Sequence, residues 1–228
     1  MPPVSSLIPD YDSDPGRSRS FRSGWQEDVH GPVVERLIGE GVGRVLDVGS
    51  GIGRFASAVG GRIKWLGVDE SPRQLADCPH RPVIRANAAQ LPMASHSFDA
   101  VVLLWMLHHL DDPRLALSEA WRIVRPGGLV AACASNRTND PELVPQGYPS
   151  TTFDAEEAAQ IVAEVCGAAR IEVERWDSPL VQLHDRDEVA AYARSHSIPP
   201  HAVEAVEPLL TLTKRGCLVW ARRPLVSS

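Results

Sequence analysis

One short segment constrains the fold of this chain more than any other: a strand-like apolar run, an acid and three alternating glycines. Residues 45–48 have the apolar character of a buried strand that carries Asp47, and Gly49, Gly51 and Gly53 follow directly. Glycines at this spacing allow a sharp turn from a strand into a helix. We expect the turn to let an adenosine-bearing ligand lie against main-chain N–H groups.

Strand and helix patterns alternate along most of the remaining chain. Short apolar runs are typical of strands buried on both faces, and apolar residues at helical spacing separate them. Ser71 and Asp112 each stand before a proline, which is typical of an N-cap and a first helical residue. We expect right-handed βαβ crossovers and a mostly parallel, doubly wound sheet. The predicted strands are 45–48, 63–68, 83–85, 98–105, 129–134, 170–176 and 217–221.

Helices are predicted between these strands. The first two cover 30–40 and 55–59, and a later one begins after Asp112 and is expected to end at the Pro-Gly-Gly sequence of 126–128. A weaker helical pattern runs from the Pro-Pro pair at 199–200 to about residue 210. Capping pairs predict two more helix starts, at Asp154 with Glu157 and at Asp185 with Glu188.

The length and composition predict one main domain. A chain of 228 residues with 43% hydrophobic residues can bury one sizeable core. Residues 1–29 are rich in proline, serine and charged residues, and we expect a flexible leader or lid there. Residues 30–228 form the predicted catalytic domain, in which 177–212 is expected to be a helical cap that shapes a substrate pocket.

Charge and cysteine usage exclude several classes of function. The net charge is −6 and the chain has only two lysines, Lys64 and Lys214, so we expect no nucleic-acid partner. No targeting signal or bilayer-length apolar run is present, which predicts a soluble cytoplasmic protein with no membrane partner. The four cysteines are scattered without the spacing of a zinc or redox site, so reduced thiols and no metal are expected.

A glycine-rich turn can serve a dinucleotide, a phosphate or a methyl donor, and the spacing separates these readings. The dinucleotide fingerprint, counted from Gly49, needs a small residue where this chain has Arg54. A P-loop needs a Gly-Lys-Ser/Thr ending, which is absent. Asp47 would repel a pyrophosphate but suits a cationic or amino-bearing ligand. Asp69, at the end of the second strand, can accept from both ribose hydroxyls, as acids in NAD sites also do.

The ordered motifs resemble the class I S-adenosylmethionine-dependent methyltransferases, in the small-molecule group similar to the ubiquinone and menaquinone C-methyltransferases. The resemblance runs from about residue 33 to residue 134, and the series is far more specific than any single motif. It rests on the glycine turn with Asp47, on Asp69, on the runs 87–93 and 97–99, on the Leu-His-His-Leu sequence of 107–110, and on the Arg-Pro-Gly-Gly sequence of 125–128.

The resemblance implies a Rossmann-like α/β sheet of seven strands with the last strand antiparallel, and S-adenosyl-L-methionine as the cofactor. The glycine turn would hold the methionine portion and Asp69 the ribose. Glu70 would lie beside the adenine, and the Ala88 amide would reach the ring. Leu104 would close the methionine end, and Trp25 could cover the cofactor. The full predicted cofactor set is Trp25, Asp47, Gly49, Ser50, Gly51, Gly53, Asp69, Glu70, Asn87, Ala88 and Leu104.

The implied reaction is in-line displacement of the cofactor's methyl group by an O, N or C nucleophile of a small molecule, which leaves S-adenosyl-L-homocysteine. His109 is the predicted catalytic residue, because the family commonly carries a histidine there and imidazole can take the acceptor's proton. We expect only one of His108 and His109 to face the pocket, since neighbouring side chains of a strand diverge. His30, Tyr148 and His184 are expected to be ordinary surface residues.

Other functions stay open at this level. The domain could bind S-adenosylmethionine without transferring its methyl group, or it could be an NAD-dependent oxidoreductase, which Arg54 disfavours. Methylation of RNA or protein is a further alternative. A cationic acceptor such as a polyamine or aminoglycoside is suggested weakly by acidic residues, beside phenols and quinones.

Overall fold

The computed structural model describes residues 28–149, 151–167, 170–196, 198–204, 206–207 and 209–225. Nearly all of the predicted leader, with Trp25, lies outside these ranges. The described part contains a seven-stranded sheet flanked by helices on both faces. This architecture confirms the fold class that the sequence predicts.

The sheet has the strand order β3-β2-β1-β4-β5-β7-β6. Neighbouring strands from β3 to β5 are parallel, whereas β7 runs antiparallel to both β5 and β6. The direction of the chain therefore reverses at the last strand, as the resemblance implies. The strands are β1 Arg44–Val48, β2 Lys64–Asp69, β3 Val83–Arg85, β4 Phe98–Leu103, β5 Val124–Ser135, β6 Arg170–Leu183 and β7 Leu210–Arg222.

Six α-helices and two short 3₁₀ turns occur in the described residues. Two of the helices cover one face of the sheet and two others cover the opposite face. The helices are α1 His30–Gly39, α2 Arg54–Val59, α3 Pro72–Asp77, α4 Pro113–Ile123, α5 Ala158–Cys166 and α6 Arg186–Ser195, and the 3₁₀ turns are Leu107–His109 and Pro200–Ala202.

Three of the four predicted helix caps are confirmed. Ser71 Oγ accepts from the Gln74 N–H, and the carboxylates of Asp112 and Asp185 accept from main-chain N–H groups in the first turns of α4 and α6. The Asp154–Glu157 pair is wrong as a cap. Asp154 accepts from the Arg137 and Glu156 amides instead, and α5 begins at Ala158 without a side-chain cap.

Two predicted strand boundaries also differ. β4 ends at Leu103 rather than at 105, and α4 gives way directly to β5, so that the Pro-Gly-Gly sequence of 126–128 lies inside a strand. A Cβ on Gly128 would come within 2.4 Å of the Asp99 carbonyl oxygen. The glycine thus permits the close approach of β5 to β4, where the pairing register shifts.

The core lies on both faces of the sheet. Val45 packs with α1 and α2 on one face, and its neighbour Leu46 packs with α4 and α5 on the other. Val101 and Val102 of β4 alternate in the same way. Because side chains alternate along a strand, burial of both faces requires the unbroken apolar runs seen in the sequence.

The predicted cap, 177–212, is helical only in part. β6 and β7 extend beyond the main sheet as a hairpin, in which residues 177–183 pair with 210–215. This hairpin packs with α6 around a separate apolar cluster that includes Leu183, Tyr192 and Leu212. The expectation of a mainly helical insertion is therefore wrong, because strand pairing continues through its two ends.

A buried ion pair lies beside this cap and contacts Tyr192 within it. Lys214 Nζ contacts both carboxylate oxygens of Asp140 at 2.9 and 3.0 Å, and both side chains are almost fully excluded from solvent. Asp140 also accepts from the hydroxyls of Tyr148, at 2.7 Å, and Tyr192, at 2.8 Å. Tyr148 is thus half-buried in this network and is not the ordinary surface residue that the sequence suggests.

Removal of one charge from this network is expected to destabilise the domain strongly. Asp140→Asn removes the carboxylate that contacts the buried Lys214 ammonium and puts an amide NH₂ donor among the Lys214 and tyrosine donors, so we expect a loss of about 3–5 kcal/mol in the free energy of unfolding. Glu35→Gln is the matched control, because it breaks an exposed pair with Arg62 and should cost less than about 1 kcal/mol. Urea denaturation measures both, and equal small losses would contradict a structural role for the buried pair.

Candidate active site

One cavity of about 470 Å³ opens at the carboxyl ends of β1, β2 and β4. Ligand sites of open α/β sheets occur at this edge. The cavity brings together most of the residues that the sequence predicts for the site. They are Asp47, Gly49, Ser50, Gly51, Asp69, Glu70, Ala88, Leu104 and His109.

Three predicted site residues are not among those that line the cavity. Trp25 lies outside the described residues. Gly53 packs away from the cavity, where a Cβ would meet Cys78 Sγ at 2.6 Å. The Asn87 side chain is exposed and accepts from the Ala89 N–H at 2.7 Å, so it closes a local turn. A contact of Asn87 with an adenine stays a prediction.

The glycines of the turn are required by backbone geometry and by space. Gly49, Gly51 and Gly53 have φ of 72°, 52° and 80°, in the left-handed region that favours glycine. A Cβ on Gly49 would lie 2.6 Å from the Cβ of Met106, which follows β4. The turn can therefore pack against Met106 only because position 49 is a glycine, which has no side chain.

The main-chain N–H groups of the turn are used within the protein. Those of Gly49 and Ser50 donate to the Val68 carbonyl, at 2.8 and 2.9 Å, and that of Gly51 donates to Asp69 Oδ2 at 2.8 Å. Contact of these three groups with a ligand stays a prediction, and the ligand would have to share donors that are already bonded within the protein. Phosphate sites depend on such donors. The geometry therefore disfavours a pyrophosphate at this turn more strongly than the spacing of the glycines does.

Asp47 is a buried acid at the floor of the cavity. Its Oδ2 accepts from Trp65 Nε1 at 3.0 Å. The Trp65 ring lies where a side chain on Gly67 would be, since a Cβ there would approach Trp65 Cζ2 to 2.5 Å. Burial raises the pKa of Asp47 to about 7, the Trp65 hydrogen bond lowers it, and the nearby charge of Asp69 adds to the increase. A cationic group bound beside Asp47 would restore its ionised form.

Asp69 fixes the turn and also faces the cavity. Its two carboxylate oxygens accept from the Gly51 and Ser71 N–H groups, at 2.8 and 2.9 Å. A carboxylate oxygen accepts more than one hydrogen bond, so these contacts leave capacity for ribose hydroxyls. Ser50 Oγ is buried nearby and has no hydrogen-bond partner among the described residues.

Both histidines after β4 line the cavity. His108 and His109 lie in a 3₁₀ turn, with ring centroids 4.0 Å apart, rather than in an extension of the strand. The expectation that only one could face the pocket is wrong for this reason. Burial lowers the pKa of His108 to about 4, so its ring is neutral at pH 7. Its Nδ1 is buried without a hydrogen-bond partner in the part of the chain that the structure describes.

His30 is a cavity residue that the sequence interpretation placed on the surface. It is buried at the first position of α1, and its Nδ1 lies 2.6 Å from Asp28 Oδ2. The His30 N–H donates to the other Asp28 oxygen at 3.1 Å. The sequence signal that could have identified His30 is Asp28, an acid two residues before this histidine at the predicted helix start. His184, in contrast, is exposed as expected.

Trp105 is the second residue that sequence reasoning did not assign to the site's chemistry. It lines the cavity directly after β4 and has a φ of 59°, in the left-handed region. Such a conformation costs a bulky residue about 1–3 kcal/mol and persists where surrounding packing enforces it. The Trp105 ring meets Trp176 edge-on, with centroids 5.9 Å apart.

Comparison with known proteins relates part of the chain to a family. Residues 46–132, less than half of the chain, match the family described as Methyltransferase domain. This segment is similar to methyltransferase domains. The matched residues run from β1 to β5 and include the glycine turn, Asp47, Asp69 and both histidines of the 3₁₀ turn.

Curated relatives and solved structures agree with this assignment. The domain is 27% identical over 154 residues to demethylmenaquinone methyltransferase of Clavibacter sepedonicus, with 64% of this chain and 62% of the relative covered. It is 38% identical over 90 residues to an uncharacterized methyltransferase of Mycobacterium sp. (strain KMS), with 37% and 36% covered. The chain thus spans less than two thirds of the length of either relative.

Two solved structures share the fold across most of the chain. YcgJ of Bacillus subtilis superposes with a TM-score of 0.64 at 17% identity, over 86% of this chain and 97% of that one. The [4+2]-cyclase SpnF gives a TM-score of 0.67 at 19% identity, over 99% and 98%. At these sequence identities the comparison supports the fold alone, and the chemistry must be argued from the residues of the cavity.

The cavity fits S-adenosylmethionine, the methyl donor of the class that the sequence motifs resemble. Asp47 offers a buried carboxyl to a cation, Asp69 can accept from ribose hydroxyls, and the turn presents few amide donors to a phosphate. Within the described residues, no cluster of three or more histidine, cysteine or acidic side chains is arranged to hold a metal ion. Every described helix is too short or too polar to cross a bilayer.

The raised pKa of Asp47 predicts pH-dependent cofactor binding. Below about pH 7 the free carboxyl is protonated, and a cation can pair with it only after the proton leaves. We expect the affinity for S-adenosylmethionine to rise about tenfold from pH 6 to pH 8. The isosteric Asp47→Asn variant should bind more weakly at pH 8 and lose most of this slope.

Isothermal titration calorimetry in buffers of different ionisation enthalpy measures both the affinity and the released protons. The control is Asp111→Asn, which changes an exposed carboxyl outside the cavity. A slope that survives in Asp47→Asn would assign the titration to another group.

Proposed function

We propose that this protein transfers the methyl group of S-adenosylmethionine to a small-molecule acceptor. The observation that carries the proposal is the cavity in which the buried carboxyl of Asp47 and the carboxylate of Asp69 meet a glycine turn with internally bonded amides. A cationic amino-acid portion and a ribose match these groups. The matches to named methyltransferases support the same conclusion.

The chemistry requires alignment more than activation. S-adenosylmethionine supplies an already activated methyl group, and the acceptor's lone pair must approach it opposite the sulfur. Positioning of the two reactants and exclusion of water can contribute several kcal/mol. The glycine turn and Asp47 would orient the donor, while the residues after β4, including Trp105 and His109, would face the acceptor.

His109 is the proposed proton acceptor for an O–H or N–H nucleophile. It lines the cavity in the 3₁₀ turn beside His108. His108 is less suited to this role, because burial keeps its pKa near 4 and makes it a weak base. His30, held by Asp28, is the competing candidate for the same role.

The fold alone does not decide between methyl transfer and other chemistry, because SpnF has this fold and is described as a [4+2]-cyclase. A module that binds the cofactor without catalysis is therefore a real alternative. An NAD-dependent oxidoreductase is disfavoured by the internally bonded amides of Gly49, Ser50 and Gly51.

We further propose that the acceptor is a small molecule of the cytoplasm, as in secondary metabolism, and not a nucleic acid. The net charge is −6, and one of the two lysines, Lys214, is buried in the ion pair with Asp140. A phosphate backbone would need a basic surface. We also propose that the cap of residues 177–212 and the leader border the acceptor side of the site, although none of the described cap residues lines the cavity itself.

Calorimetry followed by product analysis tests the function. We expect binding of S-adenosylmethionine and S-adenosylhomocysteine and none of NADH. Incubation with a panel of phenols, quinones and amines should then release S-adenosylhomocysteine, with a product 14 mass units heavier than its acceptor by mass spectrometry. Cofactor binding without turnover across a metabolite extract would favour the non-catalytic alternative.

Substitution of His109 should lower turnover of an acceptor with an ionisable hydroxyl or amine. His109→Gln removes the base and is expected to lower kcat about 10²- to 10⁴-fold at pH 7, with recovery as pH rises and the acceptor ionises unaided. His184→Gln, at an exposed position, is the control. Full turnover in His109→Gln together with a large loss in His30→Gln would transfer the role to the Asp28–His30 pair.

A further inference from the structure

The cavity has two chemically different sides. Its carboxylates, Asp47, Asp69 and Glu70, all belong to the ends of β1 and β2. The segment after β4 contributes Trp105 and the two histidines, and no carboxylate comes from it among the described lining residues. Since β1 lies between β2 and β4, the carboxylates lie on the β1 and β2 side of the cavity and the aromatic side chains lie on the β4 side.

Trp105 is held at this aromatic end by a chain of contacts. Its left-handed backbone turns the residue out of the direction of β4, and its ring meets Trp176 of β6 at an interplanar angle of 69°. Trp176 lies opposite Gly216 of β7, where a Cβ would come within 2.3 Å of Trp176 Cζ2. The missing side chain of Gly216 therefore makes room for the ring that supports Trp105.

We propose that Trp105 forms a flat stacking wall that selects a planar, aromatic and uncharged acceptor, and that Trp176 is the positioning residue for this wall. The proposal deepens the proposed function and rests on it. Aromatic rings stack offset or edge-to-face on one another with an attraction that a saturated ring of the same size lacks. A strained tryptophan with a dedicated support suits this use better than it suits simple filling of the core.

Charge argues against a cationic acceptor at the same wall. A cation can lie over a tryptophan face, but here the sulfonium of the bound donor would lie beside it. The segment after β4 offers no carboxylate to offset the repulsion among the described lining residues, and Asp47, on the neighbouring strand β1, would pair with the donor's own cationic portion. The interpretation of the acidic residues as a hint of a polyamine acceptor is therefore not supported by the lining of this cavity.

Matched probes separate stacking from plain hydrophobic contact. The probes are 2-naphthol, its saturated analogue trans-decahydro-2-naphthol and the cationic 2-naphthylmethylammonium, each titrated into the complex of full-length protein with sinefungin, an unreactive analogue of S-adenosylmethionine that carries an ammonium group near the sulfonium position. We expect 2-naphthol to bind at least tenfold more tightly than either of the others. Trp105→Leu should reduce its advantage over the saturated analogue to about twofold, and Trp105→Phe should retain part of it.

Two further variants test how the wall is built. Trp176→Leu should lower the same selectivity ratio without loss of affinity for S-adenosylhomocysteine. Trp121→Leu, on α4 and outside the cavity lining, is the matched control and should leave the ratio unchanged. Circular dichroism and the calorimetric affinity for S-adenosylhomocysteine establish that each variant is folded.

The outcomes distinguish the two proposals. Absence of S-adenosylhomocysteine binding in the unsubstituted protein would overturn the proposed function itself. Normal S-adenosylhomocysteine binding with equal affinity for the aromatic and saturated probes, or with a preference for the cation, would overturn only the stacking wall. A selectivity ratio that Trp105→Leu and Trp105→Phe both leave unchanged would overturn it as well.

Discussion

The attachment of the glycine turn to the end of β2 is the constraint on which the site depends. The Val68 carbonyl and the Asp69 carboxylate accept three successive main-chain N–H groups of the turn. These bonds fix the turn against the sheet and use up the donors that a phosphate would need. The same contact places Asp69 close enough to Asp47 to raise the pKa of that buried acid. One set of hydrogen bonds thus fixes the position of the turn and also disfavours a phosphate ligand there.

Most of the fold follows from local pattern. Apolar runs predict the strands because both faces of the sheet are covered, and the residues before Pro72 and Pro113 predict helix starts because their side chains bond to the next turn. The incorrect predictions of helix and strand ends have one cause, which is a contact with a residue distant in sequence. Asp154 has the spacing of a cap, but its carboxylate bonds to the Arg137 amide, which is distant in sequence. The Pro-Gly-Gly sequence lies in β5 because Gly128 packs against β4.

The site residues were predictable where they belong to a local sequence pattern. They were not predictable where they reach the cavity only because elements distant in sequence pack together. Asp47, Gly49 and Gly51 belong to one strand-turn-helix pattern and Asp69 ends the next strand, and these four reach the cavity as expected, whereas Gly53 does not. His30 reaches it only because α1 packs on the sheet, which no spacing within that helix reveals. Trp105 adopts a backbone conformation that a sequence does not mark, since the residue is not glycine. The hydrogen bonds that the main-chain N–H groups of the turn donate to Val68 and Asp69 form only once β1 and β2 pair, so the local sequence does not reveal them.

Strand β7 has a consequence for how the cap can move. Its second half pairs with β5 in the main sheet, and its first half pairs with β6 in the cap. One continuous strand therefore joins the two parts, and the Asn136 N–H bonds to the Arg215 carbonyl at the junction. Rotation of the cap away from the sheet would break this ladder. The cap and the main sheet are therefore expected to move as one body.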